Sequence, residues 1–207
     1  MQEATEPALA ATPPSPVVDG RTLRSLRTRE AIVDATIALL EEGDLRPTAP
    51  RVAERATVSV RSVFQHFDDL ETLHASVAER LVDRVAVLLV PVDPKLPLGD
   101  RLDRFVHQRA LLLEAVTPIR RAADVHGPFS SEITARLRDG QAFLRDELVR
   151  TFSPELDAAG ADREDLLDAL DAVLSWATWE GLRANLGRDQ PTAERVMRRL
   201  AGAVLDR

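Results

Sequence analysis

The residues best suited to chemistry are crowded into one stretch of the sequence, between positions 48 and 67. Arg61, Ser62, Gln65 and His66 follow one another there within two helical turns. Guanidinium, hydroxyl and amide groups donate hydrogen bonds to phosphate oxygens and to the edges of bases. The sequence has neither a glycine-rich phosphate loop nor the spacing of a Ser/His/Asp triad, so the stretch favours nucleic-acid binding over catalysis.

Two short helices joined by a tight turn are predicted to position these side chains. The apolar spacing indicates helices at about 50–56 and 60–67, with Ser59 as the N-cap of the second. Helices this short are marginal alone in water, so packing against a longer helix at 28–42 must hold them. Ala53 is small where two steeply crossing helices need a close approach, which is typical of a helix-turn-helix unit.

The outer face of the second helix is predicted to meet the major groove of DNA. It offers Val60, Arg61, Ser62, Gln65 and His66, and recognition helices place their N-terminal residues at base edges. Arg61 is expected to read a guanine or to clamp a phosphate, with a solvated arginine as the alternative. Gln65 is either a DNA contact or a solvated flank, and His66 either a phosphate contact or a packed histidine.

The distribution of charge agrees with a contact to phosphate at one end of the molecule. The chain as a whole carries a net charge of −7, but residues 20–66 hold eight arginines against six acidic residues. Arg21, Arg24, Arg27 and Arg29 form the densest part of this basic segment. A locally basic patch on an acidic protein suits a module that touches DNA with one surface only.

The composition predicts an all-α, cytoplasmic protein without a cofactor. Aromatic residues make up 4% of the chain and cysteine is absent, while residues that favour helices are abundant. Without cysteine the chain has no disulfides, as expected in a reducing compartment. No apolar run approaches the roughly 20 residues of a membrane span, and the N-terminus lacks the pattern of a secretory signal.

About nine helices are predicted, with the short ones first. Residues 1–20, rich in proline, are expected to be a disordered tail, and Gly43 is expected to end the first helix. A long helix begins after Asp69 and breaks before Pro91. Beyond it, helices are predicted at 100–116, 118–125, 131–152, 163–186 and 192–205.

The stretch at 48–67 resembles the signature of the tetracycline-repressor (TetR) family of transcriptional regulators. It reads TAPRVAERATVSVRSVFQHF, with a threonine, an aliphatic–alanine pair, a Val-Ser turn and an aromatic residue two before His-Phe. The segment at 29–35 is similar to the family's first helix. The predicted DNA-binding residues are Arg24, Thr48, Arg51, Ser59, Val60, Arg61, Ser62, Phe64, Gln65 and His66.

Three residues depart from the family pattern. Thr57 stands where a glycine with positive φ is usual, and a β-branched residue in that conformation costs roughly 1–2 kcal/mol. Phe64 lacks the hydroxyl of the usual tyrosine. Leu70, next to Asp68 and Asp69, replaces the usual lysine and either leaves a phosphate contact unmade or packs under the DNA-binding unit.

The resemblance implies a homodimeric, ligand-responsive repressor with two domains. The DNA-binding domain would span 21–67, and a ligand-sensing and dimerisation domain 68–207. Helices 163–186 and 192–205 would pair with their two-fold mates as a four-helix bundle. The apolar stripes expected there are formed by Leu166, Leu170, Val173, Ala177, Val196, Leu200 and Ala203.

Candidate ligand-binding residues are aromatic and histidine side chains of the second domain. Each of them is alternatively a plain core or dimer-packing residue, since interior aromatics usually are. The candidates are Phe105, His107, His126, Phe143 and Trp176.

Two other functional classes compete with a ligand-responsive repressor. A DNA-binding architectural protein would have the same helix-turn-helix unit but no effector. Only the presence of a ligand pocket distinguishes a ligand-responsive repressor from such a protein. A helical enzyme would need convergent catalytic residues, which the sequence does not show. Glu71 and His74 have the Glu-x-x-His spacing of a di-iron site, but no second copy occurs, so no metal is expected.

Overall fold

The computed structural model of the protein describes residues 20–206, and every regular element in that range is helical. This confirms the predicted all-α class. The α-helices are α1 Gly20–Glu41, α2 Ala49–Arg55, α3 Val60–His66, α4 Leu70–Ala86, α5 Leu98–His126, α6 Ser131–Thr151, α7 Ser153–Ala158, α8 Arg163–Val173, α9 Trp176–Glu180 and α10 Gln190–Leu205. Two 3-10 turns, Gly127–Phe129 and Gly160–Asp162, and a π turn, Gly181–Asn185, complete the set. Within this range no helix is both long enough and apolar enough to cross a bilayer.

The first helix begins at Gly20 rather than at Thr28, so the arginines at its start are helical. Gly20, which was predicted to belong to the tail, is therefore helical, and residues 1–19 lie outside the described part of the chain. Gly43 ends the helix as predicted, with φ +91°. The amide of Asp44 donates to the carbonyl of Leu39 at 3.0 Å, which closes the turn that a left-handed glycine allows.

The buried residues of the described chain form two apolar cores. The first joins α1, α2 and α3 to Leu73 and Val77 of α4 and to Ala122 of α5. The second fills the space between α5, α6, α7, α8, α9 and α10, with Trp179 fully buried in it. The first core thus draws on residues beyond 67, and the boundary at 67/68 stays a prediction.

Leu70 packs against the first core and is half-buried. Of the two alternatives for this residue, the contacts favour packing under the DNA-binding unit. A lysine here would replace an apolar contact with a charge that must reach for solvent.

α5 runs without a break through Pro118, although the sequence predicted two helices at 100–116 and 118–125. Proline lacks the amide that would bond to the carbonyl four residues earlier. The neighbouring Thr117 hydroxyl donates to the carbonyl of Leu113 at 2.6 Å and accepts the indole N–H of Trp176 at 3.1 Å. These side-chain bonds, and the burial of α5 in both cores, keep the helix continuous.

The helix predicted at 163–186 is divided into α8, α9 and the π turn. Ser175 is extended, with ψ 162°, and its hydroxyl accepts the amide of Thr178, so it caps a new helix. The final helix starts at Gln190 instead of 192, because Pro191 is tolerated in a first turn.

The apolar residues predicted for a dimer interface divide between the protein's own core and its surface. Leu166 and Leu170 are buried within the chain, so they are not available to a partner. Val173 and Val196 are half-buried, while the outward side of α9 and α10 exposes Ala177, Leu200 and Ala203.

Candidate nucleic-acid interface and ligand cavity

The turn between α2 and α3 keeps a left-handed residue without a glycine. Thr57 has φ 57°. The amide of Val58 donates to the carbonyl of Ala53 at 2.9 Å, and that of Thr57 to the carbonyl of Glu54 at 3.1 Å. This pair of bonds is the Schellman arrangement, which requires a left-handed residue at the position of Thr57. The turn therefore has the left-handed geometry that usually needs glycine, and the β-branched Thr57 is strained as a result.

We predict that Thr57→Gly raises the free energy of unfolding by about 0.5–1 kcal/mol, measured by urea denaturation. Glycine removes the left-handed strain, and part of the gain is offset by its greater freedom in the unfolded chain. Thr48→Gly is the matched control, because Thr48 is also exposed but has φ −82°. The Thr48→Gly variant is expected to lose stability. A loss of similar size for Thr57→Gly would contradict left-handed strain at Thr57.

α3 turns nearly its whole surface outward. Its one buried residue is Val63. Ser59 caps the helix as predicted, and its hydroxyl accepts the amide of Ser62 at 3.0 Å. Val60 and Phe64 leave 40% and 51% of their surfaces exposed. α3 therefore presents two apolar side chains, besides its polar ones, on its outer surface.

Arg61 stands apart from the arginines of α2. The side chains of Arg51 and Arg55 pair with Asp44 and Glu42, each at 2.6 Å. Among residues 20–206, Arg61 has neither a hydrogen bond nor an ion pair, and it is exposed like Gln65. The structure thus leaves Arg61 available for a base or a phosphate, whereas Arg51 reaches a phosphate only if it shares or leaves Asp44.

The arginines at the start of α1 divide into two groups. Arg24 is exposed on the first turns. Arg29 instead packs inward, where its guanidinium lies 4.9 Å from the ring centre of Phe67 and donates to the hydroxyl of Ser76 at 2.6 Å. Arg24 therefore stays a candidate for phosphate contact, and Arg29 holds α1 against α3 and α4.

The edges of the candidate surface are less favourable to phosphate. Thr48 occupies the N-cap position of α2, but its hydroxyl makes no capping bond. Asp69 caps α4 and accepts the amide of Thr72 at 2.7 Å, and this hydrogen bond lowers the pKa of the Asp69 carboxyl. A carboxylate thus occupies the end of α4, where the helix dipole would otherwise attract an anion. His66 is half-buried at the end of α3.

Comparison with solved structures supports the fold. A candidate TetR-family transcriptional regulator from Mesorhizobium loti MAFF303099 superposes with a TM-score of 0.64 at 19% identity, over 88% of this chain and 97% of that one. A transcriptional regulator from Rhodococcus sp. Rha1 gives 0.65 at 19%, over 88% and 96%. The chain has a TetR-type fold. No family model and no curated protein matches the sequence significantly.

In this TetR-type fold a cavity of about 400 Å³ lies between α4, α5 and α6, next to α1 and α9. Its volume falls in the range of small-molecule sites. Leu40 of α1 and Val77 and Ala122 of the first core form part of its wall. The cavity therefore touches the packing of the DNA-binding unit directly. Its other apolar walls are Ala75, Ala78, Leu81, Val82, Leu113, Val116, Ile119, Ala123, Ile133, Leu137, Leu144 and Trp176.

Two of the five candidate ligand residues line this cavity, His126 and Trp176. Phe105 lies elsewhere, in the second core, edge-on to Phe152 with ring centres 5.3 Å apart. His107 is on the surface beside Glu194, and Phe143 is 44% exposed. The structure does not bring these last three residues to the cavity, because they project from other faces of α5 and α6.

Two histidines form the polar part of the cavity wall nearest α1. The rings of His74 and His126 lie 5.0 Å apart. Burial lowers the pKa of His74, with a further contribution from His126, while Glu71 acts in the opposite direction. The His74 imidazole is therefore harder to protonate in the folded protein than in the unfolded chain. This role could not be predicted from the sequence, where His74 showed only a chance Glu-x-x-His spacing.

We predict that stability falls as the pH decreases through 6.5 towards 5.5, and that His74→Phe removes part of this fall. A histidine with a pKa below its ordinary 6.5 binds fewer protons when folded than when unfolded. Its stabilisation is complete above the unfolded pKa and is lost as the pH falls towards the folded one. Urea midpoints at pH 7.5, 6.5 and 5.5 measure the slope, and an unchanged slope in the variant would contradict a buried neutral His74.

Polar contacts join the α4 and α6 walls of the cavity, and sequence patterns did not reveal them. Ser130 donates to Glu71, and Arg136 donates to the carbonyl of Ala75 at 3.4 Å. Arg136 also lies 3.8 Å from Glu79. Within residues 20–206 no cluster of three or more acidic or histidine side chains is arranged to hold a metal ion.

Proposed function

We propose that the protein is a sequence-specific, DNA-binding transcriptional regulator of the cytoplasm, acting as a ligand-responsive homodimeric repressor. The observation that carries this proposal is the outer surface of α3. A capped helix that buries only Val63 and exposes an unpaired Arg61 has the form of a recognition helix. The TetR-type fold supports the proposal, since both similar structures are described as transcriptional regulators.

On DNA, α3 would lie in the major groove with its N-terminal end at the bases. Arg61 and Gln65 would read base edges, while Ser62 and the exposed Val60 and Phe64 contact sugar, phosphate or a thymine methyl group. Arg24 of α1 would contact phosphate beside the groove. The local basic excess would supply the salt-dependent part of the affinity.

The cavity favours a regulator with an effector over an architectural DNA-binding protein. An apolar space of about 400 Å³ beside Leu40 of α1 offers a ligand both volume and a path to the DNA-binding unit. A ligand that fits one arrangement of α1 and α4 better than another binds that arrangement more tightly. Such a ligand shifts the protein towards that arrangement and so changes the fraction of molecules whose DNA-binding units match DNA. Neither the cavity nor the α3 surface shows a catalytic arrangement, and no enzymatic role is proposed.

We predict a dimer in solution, formed by the outward faces of α8, α9 and α10. Leu200 is 38% exposed there, and Leu200→Asp should weaken the dimer because a partner would bury the charge. Val87→Asp is the control, since Val87 is 77% exposed beyond the end of α4. Sedimentation velocity at micromolar concentration reports the mass, and a single 22.8 kDa species for the wild type would contradict the dimer.

The proposed function is tested by selecting duplexes from a random library and measuring their affinity. We expect a pseudo-palindromic site that binds at least about 10³-fold more tightly than random duplex of equal length. The logarithm of the affinity should fall linearly with the logarithm of salt concentration. Recovery of no preferred sequence after repeated rounds would reject a sequence-specific regulator.

A further inference from the structure

His126 is a cavity residue that also bonds to the DNA-binding unit. Its ring nitrogen Nε2 lies 3.2 Å from the carbonyl oxygen of Leu45. Leu45 belongs to the α1–α2 loop, residues 42–48, and packs against the first core. One side chain therefore connects the cavity wall with the loop that positions α2.

The chemistry of this contact fixes which nitrogen of His126 carries the proton. A carbonyl oxygen only accepts hydrogen bonds, so Nε2 must be the donor. The Leu45 carbonyl therefore occupies the N–H group at Nε2. A second acceptor that reaches Nε2 from the cavity must compete with the Leu45 carbonyl.

The remaining polar groups of the cavity argue for an uncharged ligand. Four of its five charged side chains already hold polar partners. Glu71 accepts from Ser130, Glu132 pairs with Arg136, and Arg120 pairs with Asp124. The fifth, Asp139, is exposed to solvent. Gln141, the remaining polar residue of the lining, is exposed and donates to Asp171. The apolar walls and the two imidazole rings are left to recognise a ligand.

We propose that the cavity binds a neutral, apolar molecule that carries one carbonyl-type acceptor, and that this acceptor takes the His126 N–H from Leu45. This inference rests on the proposed function. Released from His126, the α1–α2 loop loses an anchor. The same loop region holds α2 through the pairs Asp44–Arg51 and Glu42–Arg55, so its release changes the orientation of α2 and α3 relative to α4.

The experiment compares acetylnaphthalene, which has a ketone, with ethylnaphthalene, which has the same ring and no acceptor. Amide hydrogen exchange is measured over residues 42–58, together with the affinity for a duplex selected from the random library. Both compounds should bind the apolar walls, but only the ketone should speed exchange in the α1–α2 loop. Only the ketone should weaken duplex binding, by at least about fivefold, the lower end of usual coupling between sites.

Three variants identify the residue that transmits the effect. His126→Phe should show fast loop exchange without ligand and no further response to the ketone. His126→Gln places an amide donor near the position of Nε2 and should restore slow exchange and the response. His107→Phe, which changes a surface histidine of α5 outside the cavity with no bond to Leu45, should keep the response.

Several results would overturn the inference. They are equal effects of the two compounds, failure of the ketone to bind, or a ketone response that persists in His126→Phe. The wild-type comparison of the two compounds decides even where a variant does not fold. Failure of the proposed function looks different, because the protein would then select no duplex while the loop exchange still responded to the ketone.

Discussion

Glu155→Ala should lower the free energy of unfolding by about 3 kcal/mol, and the melting temperature by roughly 6–12 °C. Arg101 is almost fully buried and forms a two-pronged ion pair with Glu155, at 2.7 and 2.5 Å. The guanidinium of Arg101 is also the main reason that the pKa of Glu155 is lowered. Removing the carboxylate leaves a buried charge that only carbonyls satisfy. We place the loss at the low end for buried pairs because Leu96 and Thr151 still accept from Arg101.

Two variants distinguish the effect of leaving a buried charge unpaired from the effect of losing an ion pair on the surface. Asp124→Ala removes the partner of Arg120 on the surface of α5, and should cost at most about 0.5 kcal/mol. The double variant Arg101→Met with Glu155→Leu should recover most of the stability, since it leaves no unpaired charge. A loss of under 1 kcal/mol for Glu155→Ala, by thermal and urea denaturation alike, would contradict a desolvated Arg101.

Arg61→Ala should weaken binding to the selected duplex by about 5- to 150-fold for each α3 helix bound to DNA, corresponding to about 1–3 kcal/mol. The preference at one base position should be relaxed, because the guanidinium is expected to bond to the edge of a base there. Random duplex should lose much less. Fluorescence anisotropy with the selected duplex, single-base variants of it and random duplex measures each of these quantities.

Arg24→Ala is the matched control for Arg61→Ala. Arg24 is also exposed, but it lies on α1, where only phosphate is expected within reach. Its removal should weaken all duplexes to a similar degree and reduce the salt dependence by about one counterion. Equal losses on selected and random duplex for both variants would show that Arg61 reads no base.

Local signals in the sequence were sufficient to predict the conformation of the helix-turn-helix unit formed by α2 and α3. The N-cap at Ser59 and the helix end at Gly43 depend on neighbouring residues only, and both are confirmed. At Thr57 the resemblance to the TetR signature indicated a position that is usually a left-handed glycine, and it left open whether threonine keeps that backbone. The structure shows that it does, with φ 57°. Where a short segment determines its own conformation, the sequence predicts it.

The sequence could not predict features that depend on tertiary packing. α5 passes through Pro118 because Thr117 bonds both to Leu113 of the same helix and to Trp176 of the distant α9. The same helix buries residues on several of its faces, so periodicity could not separate Phe105, a core residue, from His126, a cavity residue. The role of His126 depends on Leu45, which is 81 positions away in the sequence.

Photo-cross-linking tests most directly whether the outer surface of α3 binds DNA. Benzoylphenylalanine is introduced at Phe64, which is 51% exposed on α3, and separately at Phe143, which is 44% exposed on α6. Irradiation with the labelled selected duplex should cross-link the protein through position 64 and leave position 143 unlinked. An excess of unlabelled selected duplex should abolish the cross-link at position 64. Cross-linking through position 143, or equal yields at both positions, would contradict recognition of DNA by α3.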